Sequence, residues 1–358
     1  MTFYRPSIIE DIRIKTQKTS TEERSQNAQR TVMLRDPEKQ LFNIKPADQW
    51  LTEECSRPAA RQLLGSLWYE QELCILFADT NVGKSILAVQ IGYQLAKQSP
   101  MHPFGCEVNE SLRILYIDFE LNAAQFRIRY THPEHGQHHF GDNFIRAEFN
   151  PGGDDPFLYD KYDDYVKEKI EKAIIQSKAS VLIIDNITCM GSQTSHAAGA
   201  LPLMKTLKAL KTKHRLSMLV LAHTPKRNQC APITVNDLQG SKMLINFADS
   251  AFSIGQSSRD INLRYIKQIK QRNAAGDYGA DQVVVFNLSK QQSFLSFQFA
   301  GFNTEAAHLQ KPGVSINSEI KQRIPQLIQQ GLSQRQVADH LKISLSTVKR
   351  VVARAKSD

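Results

Sequence analysis

The chain lacks most of what would hold together a secreted or membrane protein. Its cysteines, Cys55, Cys74, Cys106, Cys189 and Cys230, lie far apart and form no C-x-x-C pair. That spacing offers neither a disulfide framework nor a thiolate zinc site, and reduced thiols fit a cytoplasmic address. No apolar run approaches the roughly 20 residues that a membrane span needs. The first residues, MTFYRPSIIEDIRIK, carry acids and no apolar signal core. There is no internal repeat and no low-complexity tract. What remains is a chain of 358 residues, 41% apolar, long enough for two to three domains and at least one sizeable core.

Charge is unevenly placed. Of the net +9, a surplus of five falls between Val314 and Asp358, where eight Lys/Arg face three Asp/Glu. A basic terminus of this kind points to a polyanion, most simply nucleic acid. At the other end, residues 1–45 are polar and mixed in charge without periodicity, which predicts a flexible arm.

Between these ends, short apolar runs recur. CILF, RILYID, VLIID and SMLVLA alternate with helical patterns, the grammar of a parallel sheet in an α/β domain. LRYIKQIK, VVVFNL and FLSFQFA are closer together and alternate apolar with polar, predicting antiparallel strands at one edge. The expected division is an arm to residue 45, an α/β domain over 46–304, a linker over 305–317 and a small all-α domain over 318–358.

The stretch ILFADTNVGKSILAVQ reads as strand, polar loop and amphipathic helix. It departs from the phosphate-loop pattern G-x-x-x-x-G-K-[ST] only at its first position, which is Ala78. A single methyl at the end of a strand is a small obstacle, whereas Gly83 occupies the tight point before Lys84. Residues Ala78, Asp79, Thr80, Asn81, Val82, Gly83, Lys84, Ser85 and Ile86 are therefore expected to cradle ATP. In such a loop backbone N–H groups surround the phosphates, Lys84 reaches the terminal ones and the Ser85 hydroxyl holds Mg²⁺.

Two later strands end in carboxylates. VLIIDNIT places Asp185 where it can hold the Mg²⁺ shell with Ser85. RILYIDFELN ends in Asp118 and Glu120, which period-two alternation sends to one face, and one carboxylate suffices to polarise an attacking water.

These motifs resemble the RecA-type core of ring-forming replicative helicases, the DnaB and RepA-like ATPases. ELNAAQFRIR is similar to that family's E-x-x-x-x-Q-h-x-x-R run at Glu120, Gln125 and Arg129, and the resemblance covers roughly residues 45–302. It implies Glu120 as the water-activating base and Asp185 as the Walker B aspartate. His223 and Thr224 of LVLAHTPK take the place of a polar sensor, where DnaB proteins carry glutamine. IKQIKQRNAAG resembles the stretch whose Lys270 and Arg272 reach the γ-phosphate bound by a neighbouring subunit, making hydrolysis depend on a homo-oligomer, a hexamer by resemblance.

Two polar loops, after Asp185 and after Thr224, leave the sheet where doubly wound folds place ligands. In RecA-like rings these positions line the channel for single-stranded DNA, and Lys226 and Arg227 are the expected phosphate contacts. The loop THPEHGQHHF holds four histidines, but Glu134 is its only carboxylate and no cysteine spacing completes a site, so a turn is expected there rather than a metal centre.

Near the C-terminus, GLSQRQVADHLKISLSTVKRVVARAK reads as two helices around a short turn, with Ser333 and Ser344 as caps. It is similar to the helix-turn-helix of bacterial regulators, although Lys342 stands at the usual turn glycine. Ser346, Thr347, Lys349 and Arg350 would then face duplex DNA. A preceding helix is expected to start or kink at Pro325. The reading is a RepA-like, ATP-hydrolysing motor on DNA, suited to replication or mobilisation of a plasmid or mobile element. The alternative is an ATP-dependent DNA-binding regulator that does not unwind.

Overall fold

The computed structural model describes residues 42–56, 58–150, 152, 162–190, 197–225, 227–238, 242–310, 318–341, 348 and 352. The chain divides into two units, Met1–Ala59 and Ala60–Asp358. The division falls later than residue 45, so helix α1 (Ala47–Cys55) belongs to the first unit. Lys45 Nζ pairs with Glu53 at 2.6 Å across this helix. The predicted arm lies outside the described residues up to residue 41.

The second unit begins its regular structure with β1 (Leu73–Ala78), α2 (Lys84–Lys97) and β2 (Ile114–Asp118). Next come α3 (Ala123–Arg129), the two-residue strands β3 (Thr131–His132) and β4 (Gly136–Gln137), and β5 (Phe144–Glu148). Then follow α4 (Tyr162–Ser177), β6 (Val181–Asp185), α5 (Ala197–His214), β7 (Ser217–His223), α6 (Lys242–Phe247) and β8 (Ser250–Gln256). The domain is completed by β9 (Leu263–Lys270), β10 (Val283–Gln291) and β11 (Phe294–Asn303), and two helices follow, α7 (Ser318–Gln329) and α8 (Gln334–His340).

Among the described residues, nine strands form one sheet in the order β11-β10-β9-β8-β1-β7-β6-β2-β5. The strands from β8 to β5 are parallel, and β9, β10 and β11 add antiparallel pairs beside β8. This is a RecA-like core. All seven predicted runs are strands in the predicted sense. Two members of the sheet were not foreseen, β5 and the parallel β8.

Alternation explains the burial on both faces of the sheet. In β1, Cys74 and Leu76 pack with α2 residues Leu87 and Ile91, while Leu73, Ile75 and Phe77 pack with α4, α5 and α6 through Ile174, Leu207 and Leu244. Helix α2 comes very near the sheet at Gly92, where a Cβ would lie 2.8 Å from Ile183 Cδ1. Glycine is the residue that allows this approach.

The predicted linker starts too early. Glu305 and His308 are buried, and the Glu305 carboxylate pairs with Lys267 of β9 at 2.5 Å. The compact domain therefore reaches Gln310, whose N–H donates to Gln229 O at 3.2 Å. Beyond it, α7 spans Pro325 rather than starting there; the ring removes one N–H donor without ending the helix. Ser333 caps α8 as expected, since its N–H and hydroxyl both engage Gln336 Oε1 and its Oγ accepts the Gln336 N–H. Ile324, Val337, Ala338 and Val348 are buried together. Ser346, Thr347, Lys349 and Arg350 lie outside the described residues, as do Ser344 and Lys342.

Candidate active site

The carboxyl ends of β1, β2, β6 and β7 converge beside the N-terminus of α2. β1 ends at Ala78, and Gly83 caps α2 with φ 110°, a left-handed conformation that favours glycine. A Cβ on Gly83 would also lie 3.1 Å from the Phe297 ring. Arg264 braces the loop from below, its Nε donating to Val82 O at 2.9 Å. The Ala78 methyl is buried in the core and does not enter the loop.

Lys84 is buried, and its ammonium donates to Ala78 O at 3.0 Å, Asp79 O at 3.1 Å and His223 Nδ1 at 3.0 Å. Burial lowers its pKa, opposed by the carboxylates of Glu120, Asp185 and Asp79. The hydrogen-bond network assigns the His223 proton to Nε2, because Nδ1 accepts from Lys84. That Nε2 lies 3.0 Å from Glu120 Oε1. The side chain of Asn186 also donates to Glu120 Oε1. Thr188 holds the Asn186 amide in place, its backbone N–H donating to Oδ1 at 2.8 Å. The bond from His223 holds the Glu120 carboxyl below its ordinary range, so Glu120 is a ready carboxylate at neutral pH.

Asp185 is buried at the end of β6, and its Oδ2 accepts the Tyr116 hydroxyl at 2.6 Å. Burial pushes its pKa up to about 6, against the hydrogen bonds of Ser85 and Tyr116. Ser85, at the start of α2, and Asp185, at the end of β6, are the hydroxyl and carboxylate that would share a magnesium shell.

Asp118 is not a second catalytic acid. β2 ends at Asp118, and Glu120 lies past it, so the two do not share a strand face. The Asp118 carboxylate turns back onto the N–H groups of Glu120 (3.1 Å) and Leu121 (2.8 Å) and pairs with Arg146 at 2.9 Å. Its work is to shape the turn that presents Glu120. Asn122 then opens α3 with a capping box to Gln125.

The sensor positions are connected as well. Thr224 donates its hydroxyl to Asp79 Oδ1. Arg227, expected on DNA, instead points inward: its Nε lies 3.3 Å from Asp79 Oδ2 and its side chain is almost fully buried. Lys226 lies outside the described residues. Further along the same loop, Ile233 N–H donates to Glu305 Oε1 at 2.7 Å and Ile233 O accepts from Lys267 at 2.7 Å.

Lys270 and Arg272 sit apart from this cluster. Lys270 pairs with Ala251 near the start of β8, whereas Ala78 pairs with Ile254 near its end. The Lys270 ammonium caps α6 through Ile245 O (2.6 Å) and Ala248 O (2.8 Å), so it is occupied within its own chain. Arg272 donates to Asn246 O at 2.8 Å and keeps about half of its side chain exposed. Its guanidinium also lies 3.5 Å from Asp249 Oδ1, so both predicted fingers are engaged within their own chain, and Arg272 is the more exposed of the two.

The sequence profile described as AAA domain (AAA_25) matches residues 38–229, more than half of the chain. The chain belongs to this AAA domain family. No curated protein matches. Among solved structures, a KaiC-like protein from the hyperthermophilic archaeon Pyrococcus horikoshii OT3 is similar, with 14% identity and a TM-score of 0.41 over 64% of this chain and 90% of that one.

As an AAA domain protein the chain is a P-loop ATPase, and its residues fit a magnesium nucleotide. A cavity of about 180 Å³ is lined by Thr80, Asn81, Gly83, Lys84, Ser85, Glu120, Arg129 and His223. Backbone N–H groups at the start of α2 supply donors for phosphate oxygens. Ser85 and Asp185 would hold Mg²⁺, which contributes charge neutralisation at the phosphates. Lys84, which donates to Ala78 O and Asp79 O, would bind phosphate oxygens.

Sequence reasoning missed one contributor and left another without a place. Asn186 follows Asp185 directly in VLIIDNIT, and nothing in the residue string marks it as the amide that fixes Glu120. Arg129 was visible as the end of the E-x-x-x-x-Q-h-x-x-R run, but its place in the cavity wall is visible only once α3 is folded. Among the described residues no helix is long and apolar enough to cross a membrane.

Proposed function

We propose that this ATPase is a RepA-like DNA motor that assembles as a ring, a hexamer by family resemblance, and translocates on single-stranded DNA. The observation that carries the reading is the wiring of the hydrolysis site to the loop after β7. Lys84 and Glu120 share His223, while Asp79 of the phosphate loop is held by Thr224 and Arg227 of that loop. A change at the phosphates would therefore reach a loop at the carboxyl edge of the sheet, which is what a motor must do to a bound strand. Arg272 follows β9, whose Lys270 pairs near the start of β8, and its half-exposed guanidinium would suit a neighbour's site once it leaves Asp249 and Asn246.

The basic C-terminal segment, with its Ser333-capped helix and small apolar core, fits duplex recognition by a helix-turn-helix and would recruit the motor to a site on a plasmid or mobile element in the cytoplasm. The deciding assay is strand displacement on forked DNA with ATP, using both tail polarities. Displacement with one polarity supports the motor. Robust DNA-stimulated hydrolysis with no displacement on either fork leaves the DNA-binding regulator.

A further inference from the structure

The four histidines after α3 do not share one environment. His138 packs edge-on against Tyr93, with ring centroids 4.8 Å apart, and lies among Phe140 and Phe294. His139 is exposed. His132 and His135 are stacked on each other at 4.8 Å with an interplanar angle of 28°. Glu134 sits between them in sequence, and the donor atoms of His132, Glu134 and His135 all lie within 4.8 Å of one another. No cation among the described residues pairs with the Glu134 carboxylate. Its backbone N–H donates to His132 Nδ1 at 3.2 Å.

The turn that carries these groups is braced. Ser293 Oγ donates to Gly136 O at 2.7 Å, and Lys290 Nζ donates to Ile128 O at 2.8 Å and Thr131 O at 2.7 Å. The hairpin β10–β11 thus grips both ends of the loop, and the three donors project from a backbone fixed on either side. This is a firmer platform than the free turn expected from Pro133 and Gly136.

We propose that His132, Glu134 and His135 form a zinc site, with water completing the coordination. Two imidazoles and a carboxylate suit a borderline divalent ion and not Mg²⁺ or Ca²⁺, which prefer all-oxygen shells. Donors around a tetrahedral zinc stand about 3.3 Å apart, so closure takes only a small rotation of exposed side chains. If His132 ligates through Nδ1, the Glu134 N–H loses its acceptor, which weakens this open site relative to closed structural sites. The bound ion would pin the turn that follows Arg129, the last residue of α3, which lines the phosphate cavity. The site stands on its own donors and does not depend on the DNA-motor reading.

The test is calorimetric titration of ZnCl₂ into the EDTA-treated, untagged full chain without nucleotide. Wild type is expected to bind one zinc ion per chain, and the His132→Ala/His135→Ala variant to lose that event or weaken it more than about tenfold. Glu134→Gln, which spares both imidazoles, should fall between them, and circular dichroism melts verify that each variant is folded. The absence of zinc binding by wild type would overturn the proposal. Binding by the folded double variant within tenfold of wild type would overturn it equally.

Discussion

His223 Nε2 lies 3.0 Å from Glu120 Oε1, while Nδ1 of the same ring accepts from Lys84 at 3.0 Å. One imidazole thereby joins Lys84, the proposed phosphate ligand, to Glu120, the proposed base for water. Removing it should separate binding from turnover. His223→Ala is expected to keep nucleotide affinity within a few-fold and to lower kcat by roughly 10- to 100-fold, since Glu120 loses its orientation. Fluorescent-nucleotide binding beside steady-state hydrolysis measures the split; a parallel loss of both would make His223 part of the binding site instead.

The two residues it joins should fail differently. Lys84→Ala is expected to abolish nucleotide binding or turnover. Glu120→Gln should retain ATP without hydrolysing it, because the amide keeps the volume of the carboxylate but cannot take a proton. Filter-bound nucleotide, separated by chromatography after incubation, distinguishes trapped ATP from ADP.

Asp185 gives a pH prediction with a definite sign. Its folded pKa of about 6 exceeds the ordinary 3.8, so the folded chain binds the proton more tightly than the unfolded chain. The stability it contributes is present below pH 3.8 and is lost as pH rises through about 6. Asp185→Asn removes that loss. The variant should be more stable than wild type above pH 6, by up to about 3 kcal/mol, and the difference should shrink as pH falls towards 3.8. It should also lose magnesium-dependent hydrolysis. Melting curves across that window, without magnesium or nucleotide, are the measurement; a difference that grows on acidification would reverse the assignment.

Glu305 and Lys267 form a buried pair that fixes both backbone groups of Ile233. Breaking it by Glu305→Ala should cost about 3–5 kcal/mol, since an ammonium is left buried without its partner. The double change Glu305→Leu with Lys267→Met should recover much of that stability. If the double variant is as unstable as the single one, the interaction is not the pairwise contact described.

Much of the fold could be read from the residues because period-two alternation and apolar runs act locally. The runs around Ile75, Tyr116, Ile183 and Val220 announced the buried strands. β8 was not foreseen, since its SAFSIGQ mixes small and polar residues and becomes a parallel strand through its neighbours. The candidate residues Lys84 and Asp185 were legible from motif spacing, and the fold brings both to the carboxyl edge of the sheet. Glu120 was found, but by a wrong geometric route: Asp118 turns inward to Arg146 and is no twin of Glu120. Arg227 was misplaced for a different reason. A basic residue in a polar loop looks solvent-facing in one dimension, and only the folded loop brings it to Asp79. Lys270 shows the same limit, since a helix C-terminus 22 to 25 residues upstream in sequence captures its ammonium.

Completion of hydrolysis by a neighbouring subunit is tested most directly by mixing two dead variants. Arg272→Ala keeps a sound phosphate loop, and Lys84→Ala keeps a sound finger. Each should be inactive alone, and ATPase activity should return when they are co-assembled, because some interfaces then pair an intact loop with an intact Arg272. Native mass spectrometry establishes that mixed assemblies have formed. Mixed assemblies that remain as inactive as either parent would contradict catalysis across the subunit boundary.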